Sequence, residues 1–247
     1  MRNLFLAATA LTAAALATPA HAVLQISADI NGTTFSCFDQ EASCDTNAAV
    51  GQLAIADQTI AGVQFLGSAQ TQVVGPTNSL NTSSFQVINN NAGTVQLQLA
   101  VSGTSFQGPV ADFSASSSGT FQSAIGSSAN FTYFADNANG QGADNPNDFP
   151  GTNLVPGGDT KNVTLATDGF GFNHTGTFAD PDLYSMSLGT SVFLTAGGSL
   201  VGRSQAIVTE QVPVAEPASL AIMGAGLVGL GLVSRRKKTE TNGEHYA

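Results

Sequence analysis

Oxygen donors crowd between residues 136 and 159: Asp136, Asn137, Asn139, Asp144, Asn147, Asp148 and Asp159, set among Gly140, Gly142 and Gly151. Carboxylates and amide carbonyls on a backbone free to wrap are what Ca²⁺ requires, since it takes about six to eight hard oxygens. Asp136, Asn139, Asp144 and Asp148 are the expected ligands. The spacing departs from the D-x-[DN]-x-[DN]-G loop, because Ala138 occupies a ligand position. Solvated turn residues have the same composition, so a calcium site and an ordinary loop both remain open.

Two further sets of residues could carry chemistry. Cys37 and Cys44 lie close in sequence. The spacing is not C-x-x-C and no histidine is near, which disfavours a redox or metal pair and predicts one local disulfide in an oxidising compartment. His174 is the one histidine between residues 23 and 213, so a Ser-His-Asp triad would have to use it. No G-x-S-x-G elbow accompanies it, and Asn173-His174-Thr175 reads as a polar turn. Paired carboxylates for glycoside hydrolysis require a cleft that sequence cannot reveal. No P-loop, dinucleotide fingerprint or zinc spacing occurs.

The elements that must hold these residues are short strands. Leu24, Ile26 and Ala28 alternate, and so do Val95, Leu97, Leu99 and Val101 against Gln96, Gln98 and Ala100. Asn31-Gly32, Asn89 to Gly93 and Gly197-Gly198 punctuate them as turns. Short strands are expected at Gly51–Ile55 and Thr59–Leu66 across Asp57-Gln58, with loop from Ser68 to Ser84. Val110–Ala115, Thr120–Ile125, Asn130–Phe134, Val163 and Leu165, Phe170 and Phe172, Tyr184–Leu188, Ser191–Leu194 and Ser199–Thr209 continue the pattern. No stretch of ten residues in the body combines a 3.6-residue period with helix formers and caps. The fold class expected is mainly β, a single antiparallel β-sandwich of jelly-roll type over residues 23–213.

Charge narrows the partners of that body. It holds fourteen Asp and Glu against two cations, Lys161 and Arg203. Nucleic acid is thereby excluded, since binding it takes several phosphate-neutralising cations. An anionic membrane surface is disfavoured for the same reason.

Both ends of the chain read as sorting signals. Arg2, an apolar run from Leu4 to Leu16 and Pro19-Ala20-His21-Ala22 have the order of a signal peptide, residues 1–22, with cleavage expected after Ala22. At the other end come Ala215-Glu216-Pro217, the uncharged run Ala218–Val233, and the cluster Arg235, Arg236, Lys237 and Lys238. That run spans about 24 Å as a helix, enough to enter a bilayer with local thinning. The cations hold the stretch after it, residues 239–247, in the cytoplasm.

Residues 214–238, with a transmembrane helix expected over about 218–234, resemble the PEP-CTERM sorting domain. The resemblance lies in Glu216-Pro217, the Ala-Ser that follows, the Gly/Ala/Leu-rich helix and the basic stop. Ala215 stands where that family usually has proline. The resemblance implies an exosortase as partner beside the secretion machinery, a Gram-negative envelope, and association with an exopolysaccharide or biofilm matrix. The order of an Asp-rich loop, Asp180 to Ser199 and then the motif also looks like ectodomains that precede such signals. The sequence thus points to an exported, surface-sorted, non-enzymatic β-sandwich with no cofactor beyond the possible calcium. The alternatives are a carbohydrate-binding module, which would want a row of exposed aromatics, and a secreted hydrolase built on His174.

Overall fold

The computed structural model describes residues 23–146, 154–180 and 182–210. The signal-peptide segment with Ala22, the metal candidate Asp148, and the sorting and anchor segment 214–238 lie outside the described residues. All described residues belong to one unit, Met1–Gln211. Among them no helix is long and apolar enough to cross a membrane.

Twelve strands run in order: β1 Leu24–Ile30, β2 Thr33–Phe38, β3 Gln52–Ile60, β4 Val63–Val74, β5 Thr77–Asn89, β6 Val95–Gln107, β7 Val110–Gln122, β8 Ser128–Asp136, β9 Leu154–Asn162, β10 Thr167–Asp180, β11 Leu183–Leu194 and β12 Ser199–Glu210. They form two six-stranded sheets, β2-β1-β6-β11-β8-β9 and β10-β7-β12-β5-β4-β3. Every pairing is antiparallel. The last eight strands are nested. β8 pairs with β9, β7 with β10, β6 with β11 and β5 with β12, as if one long hairpin had been wrapped over itself. That wrapping is the jelly-roll pattern. The hairpin β1–β2 extends the first sheet beside β6, and β3–β4 extends the second beside β5.

Alternation builds the core. Leu24, Ile26, Ala28 and Ile30 face Val95, Leu97, Leu99 and Val101 and the second sheet's Phe65, Leu80, Phe85, Val87 and Phe121, all buried. Ring contacts link the two sheets, with Phe131 of β8 4.8 Å from Phe170 of β10 and Phe35 of β2 6.5 Å from Phe65 of β4.

Turn chemistry sets the registers. Asn31 and Gly32 both have positive φ, the twist-matched two-residue hairpin that joins β1 to β2. Ala61 and Gly62 do the same between β3 and β4. The expected turn at Asp57-Gln58 is instead a register irregularity inside β3, between Ile55 and Gln58. The expected loop Ser68–Ser84 is the far half of β4 and β5, turning at Gly75-Pro76 with Gly75 at φ 56°. Val110–Ala115 and the first part of Thr120–Ile125 are one strand, β7, which stops at Gln122, and the two pieces expected between Tyr184 and Leu194 are one strand, β11.

Candidate functional site

The cysteines behave as expected. Cys37 on β2 and Cys44 form a disulfide with Cα atoms 5.9 Å apart. A loop this short contributes about 2.5 kcal/mol by loop-closure entropy. Glu41 lies within reach of both sulfurs. With both thiols joined, that trio offers a metal one carboxylate and no thiolate. The neighbouring acids hold backbone: Asp45 accepts from the amides of Gln40, Asn47 and Ala54, and Asp39 from that of Gly51.

The Asp-rich segment also uses its oxygens on the chain itself. Asp136, 3% exposed, accepts from the Ala138 amide at 3.0 Å and the Gly140 amide at 3.1 Å. Asn139 accepts from the Ser105 amide at 2.7 Å, and Asp144 closes a single 3₁₀ turn, Gly142–Asp144. Among the described residues, Asp136 and Asp144 join no third His, Cys, Asp or Glu donor. Ala143 is buried against the outer face of the first sheet. There its carbonyl accepts from the Ser27 hydroxyl and its amide donates to Ser102 Oγ at 2.9 Å. The segment therefore covers that face, which explains why Gln25, Ser27, Ser102, Ser185 and Ser187 are buried there.

His174 is not in a turn. It sits mid-strand on β10, on the same side as Phe170, Phe172 and Phe178, with its Nε2 2.6 Å from Asp159 Oδ2 of β9. The pair ties the edge strand of one sheet to the edge strand of the other. The Tyr133 ring lies 5.6 Å from the imidazole, and burial pushes the Tyr133 phenol up from its ordinary value. Its hydroxyl donates to Ser117 Oγ at 2.9 Å, which is hydrogen-bonded to Ser204 Oγ at 2.7 Å. The Ser204 amide donates to Thr82 Oγ1 at 2.6 Å, completing a buried polar ladder across four strands. Among the described residues no serine hydroxyl bonds to His174, so the His-Asp pair stands without an aligned nucleophile.

Among the described residues, the outer face of the second sheet is open to solvent. Its strands alternate buried positions, such as Ala206 and Val208, with outward Arg203, Gln205 and Ile207. Register aligns Gln70, Asn81, Gln205, Ser116 and Asn173 in one row across five strands. The neighbouring row is Gln72, Ser79, Ile207, Ser114 and Thr175. On β7 the outward side chains Ser114, Ser116, Ser118 and Thr120 are all small, as are Gly169, Gly171 and Thr175 beside them on β10, whereas β12 on the other side carries Val201, Arg203, Gln205 and Ile207. A trough follows. Three contiguous hollows of about 280, 560 and 450 Å³ succeed one another along β7, sharing Ser116, Asn173 and Gln205, then Ser83, Ser118 and Arg203. From Ser114 to Gln122 the floor runs roughly 26 Å at about 3.3 Å per residue. Hydroxyl and amide groups dominate its middle, Ile207 and Val201 add apolar surface toward its two ends, and the rings in its lining are Phe172 and His174. The row of exposed aromatics expected of a stacking platform is absent from the trough lining.

Sequence reasoning missed this face. The signal available was the alternation Ser114, Ser116, Ser118, Thr120, but Ser117 and Gly119 between them are also small and not hydrophobic, which hid the period. No protein-family model matches the chain, and no curated protein matches it. Among solved structures it is similar to TmCBM61 in complex with beta-1,4-galactotriose, with TM-score 0.30 and 7% identity over 61% of this chain and 90% of that one. It is also similar to the CBM22-1 xylan-binding domain of Paenibacillus barcinonensis Xyn10C, with TM-score 0.29 and 14% identity over 68% and 90%. A third likeness is to the K3 cleaved adhesin domain of Lys-gingipain from Porphyromonas gingivalis, with TM-score 0.25 and 11% identity over 58% and 74%. Scores and identities of this size assign the chain to no family.

Proposed function

We propose that this chain is an exported, non-enzymatic β-sandwich that binds an extended polysaccharide along the trough of its second sheet. The observation that carries the reading is the trough itself. A floor about 26 Å long, lined by serine, threonine, asparagine and glutamine, offers donors and acceptors at strand spacing to a polymer of hydroxyl groups. Binding is by hydrogen bonds and ordered water rather than by ring stacking, which suits modest affinity and long contact. On this reading the segment 214–238 sorts the protein to the cell surface through an exosortase, and the ligand belongs to the extracellular matrix.

Affinity electrophoresis of the full-length chain in gels cast with soluble polysaccharides tests the proposal. Retardation by at least one polymer is expected. Ser116→Trp, which fills the floor, should weaken it at least tenfold, while Gln96→Trp on the opposite sheet should leave it unchanged. Equal retardation of the two variants would sink the assignment of the trough.

A further inference from the structure

The trough differs from the rest of the body in charge. Between residues 23 and 213 there are fourteen acids against two cations, yet none of the residues lining the three hollows is acidic. One cation is spent elsewhere: Lys161 Nζ lies 2.5 Å from Asp168 Oδ1. The other, Arg203, stands on the trough where the second and third hollows meet. It is exposed, its Nε donates to Ser118 Oγ at 3.3 Å, and among the described residues it has no carboxylate within ion-pair distance.

A guanidinium presents a planar fork of N–H donors suited to a carboxylate. With Nε turned to the floor serine, the terminal nitrogens of Arg203 are left for a ligand. In a protein that is negative almost everywhere else, an acid-free channel holding an unpaired cation marks where negative charge can be received. We infer that Arg203 is an anion-recognising position and that the polymer taken by the trough is an acidic polysaccharide, with a uronate seated at Arg203 and hydroxyl-rich units along Ser114–Ser116 and Thr120–Gln122. The inference rests on the trough-binding reading and sharpens it. One cation meets one carboxylate, so alternating uronate and neutral sugars fit better than a charge on every unit, which the surrounding acids would repel.

The test uses the full-length chain with alternating-uronate oligosaccharides (hyaluronan fragments), their methyl esters and a neutral galactan, followed by calorimetry. Saturable binding of at least one uronate oligosaccharide is expected, weakening about tenfold or more on esterification or in Arg203→Gln. Arg203→Lys, which keeps the charge but not the fork, should fall between. The melting midpoint of Arg203→Gln should match the parent, because the side chain is exposed. Raising salt should weaken wild-type binding relative to that of Arg203→Gln, in which only repulsion from the surrounding acids is left to screen. Esters and galactan bound as tightly as the acids, with Arg203→Gln unaffected, would overturn the acidic-ligand inference and leave the trough reading standing. Absence of binding by every polymer, with Ser116→Trp equally silent, would overturn both.

Discussion

At the scale of single residues, carboxylates here are chiefly structural. Asp168 shows how. Lys161 donates to one of its oxygens, and the Thr164 amide to the other at 2.9 Å, pinning the link that carries the chain from β9 in one sheet to β10 in the other. The Lys161 hydrogen bond, seconded by the Thr164 amide, holds the Asp168 carboxyl below its ordinary value. A group whose pKa is lowered on folding contributes stability above its unfolded value, about 3.9, and loses it as pH falls through the folded value. Asp168→Asn should therefore lower the melting midpoint at neutral pH, and the gap to the parent should close as pH drops below about 4. Thermal scans of both proteins across that range decide it. A gap independent of pH would mean that Asp168 acts by shape alone.

At the scale of elements, neighbours decide what a strand looks like. β7 reads poorly as a strand because Ser117 and Gly119 stand at its inward positions. Each answers a distant side chain. Ser117 receives the Tyr133 hydroxyl, and Gly119 leaves room for the Phe170 ring. The far half of β5 reads as loop for a similar reason. Its buried Asn78 donates to the Tyr184 hydroxyl at 2.7 Å, and its Thr82 bonds to Ser204 of β12. Where inward residues are purely apolar, as in β1 and the start of β6, alternation alone locates the strand. The disulfide was legible from spacing and the expected compartment. The trough was not, since a binding face made of Ser, Thr, Asn and Gln is indistinguishable in composition from a solvated one. Gly119 gives the element-scale prediction. A Cβ there would lie 2.5 Å from the Val201 carbonyl and 2.8 Å from the Phe170 ring. Gly119→Ala should cost about 1–3 kcal/mol, as overpacking of a tight interior does. Chemical denaturation reads that loss, and an unchanged unfolding midpoint would show that β7 and β12 can spread freely at this point.

At the scale of the whole molecule, the two outer faces have unlike fates. The first sheet's is covered at one end, with Ala143 plugged between Ser27 and Ser102, and leaves Gln96 and Phe193 exposed at the other. Among the described residues, the second sheet's is open along β7. For a protein held at a cell surface, as proposed, one open face is enough to engage a polymer while the other end of the chain does the sorting. Sorting is testable apart from binding. The uncharged run Ala218–Val233 followed by Arg235, Arg236, Lys237 and Lys238 should halt export in the bilayer, because carrying those cations through hydrocarbon costs about 2.5–3.5 kcal/mol each. Glu216-Pro217 would then wait at the outer surface, and Pro217 would keep the motif out of the helix interior. Deleting 218–238 should release the protein in soluble form in any host. Changing Glu216 and Pro217 to alanine should leave it in the membrane and unprocessed, with a consequence only in a host that has an exosortase. Fractionation and intact mass of the recovered protein measure both outcomes. Processing of the double variant at the parent's rate would reduce the segment to a plain tail anchor and remove the basis for placing the protein in the matrix.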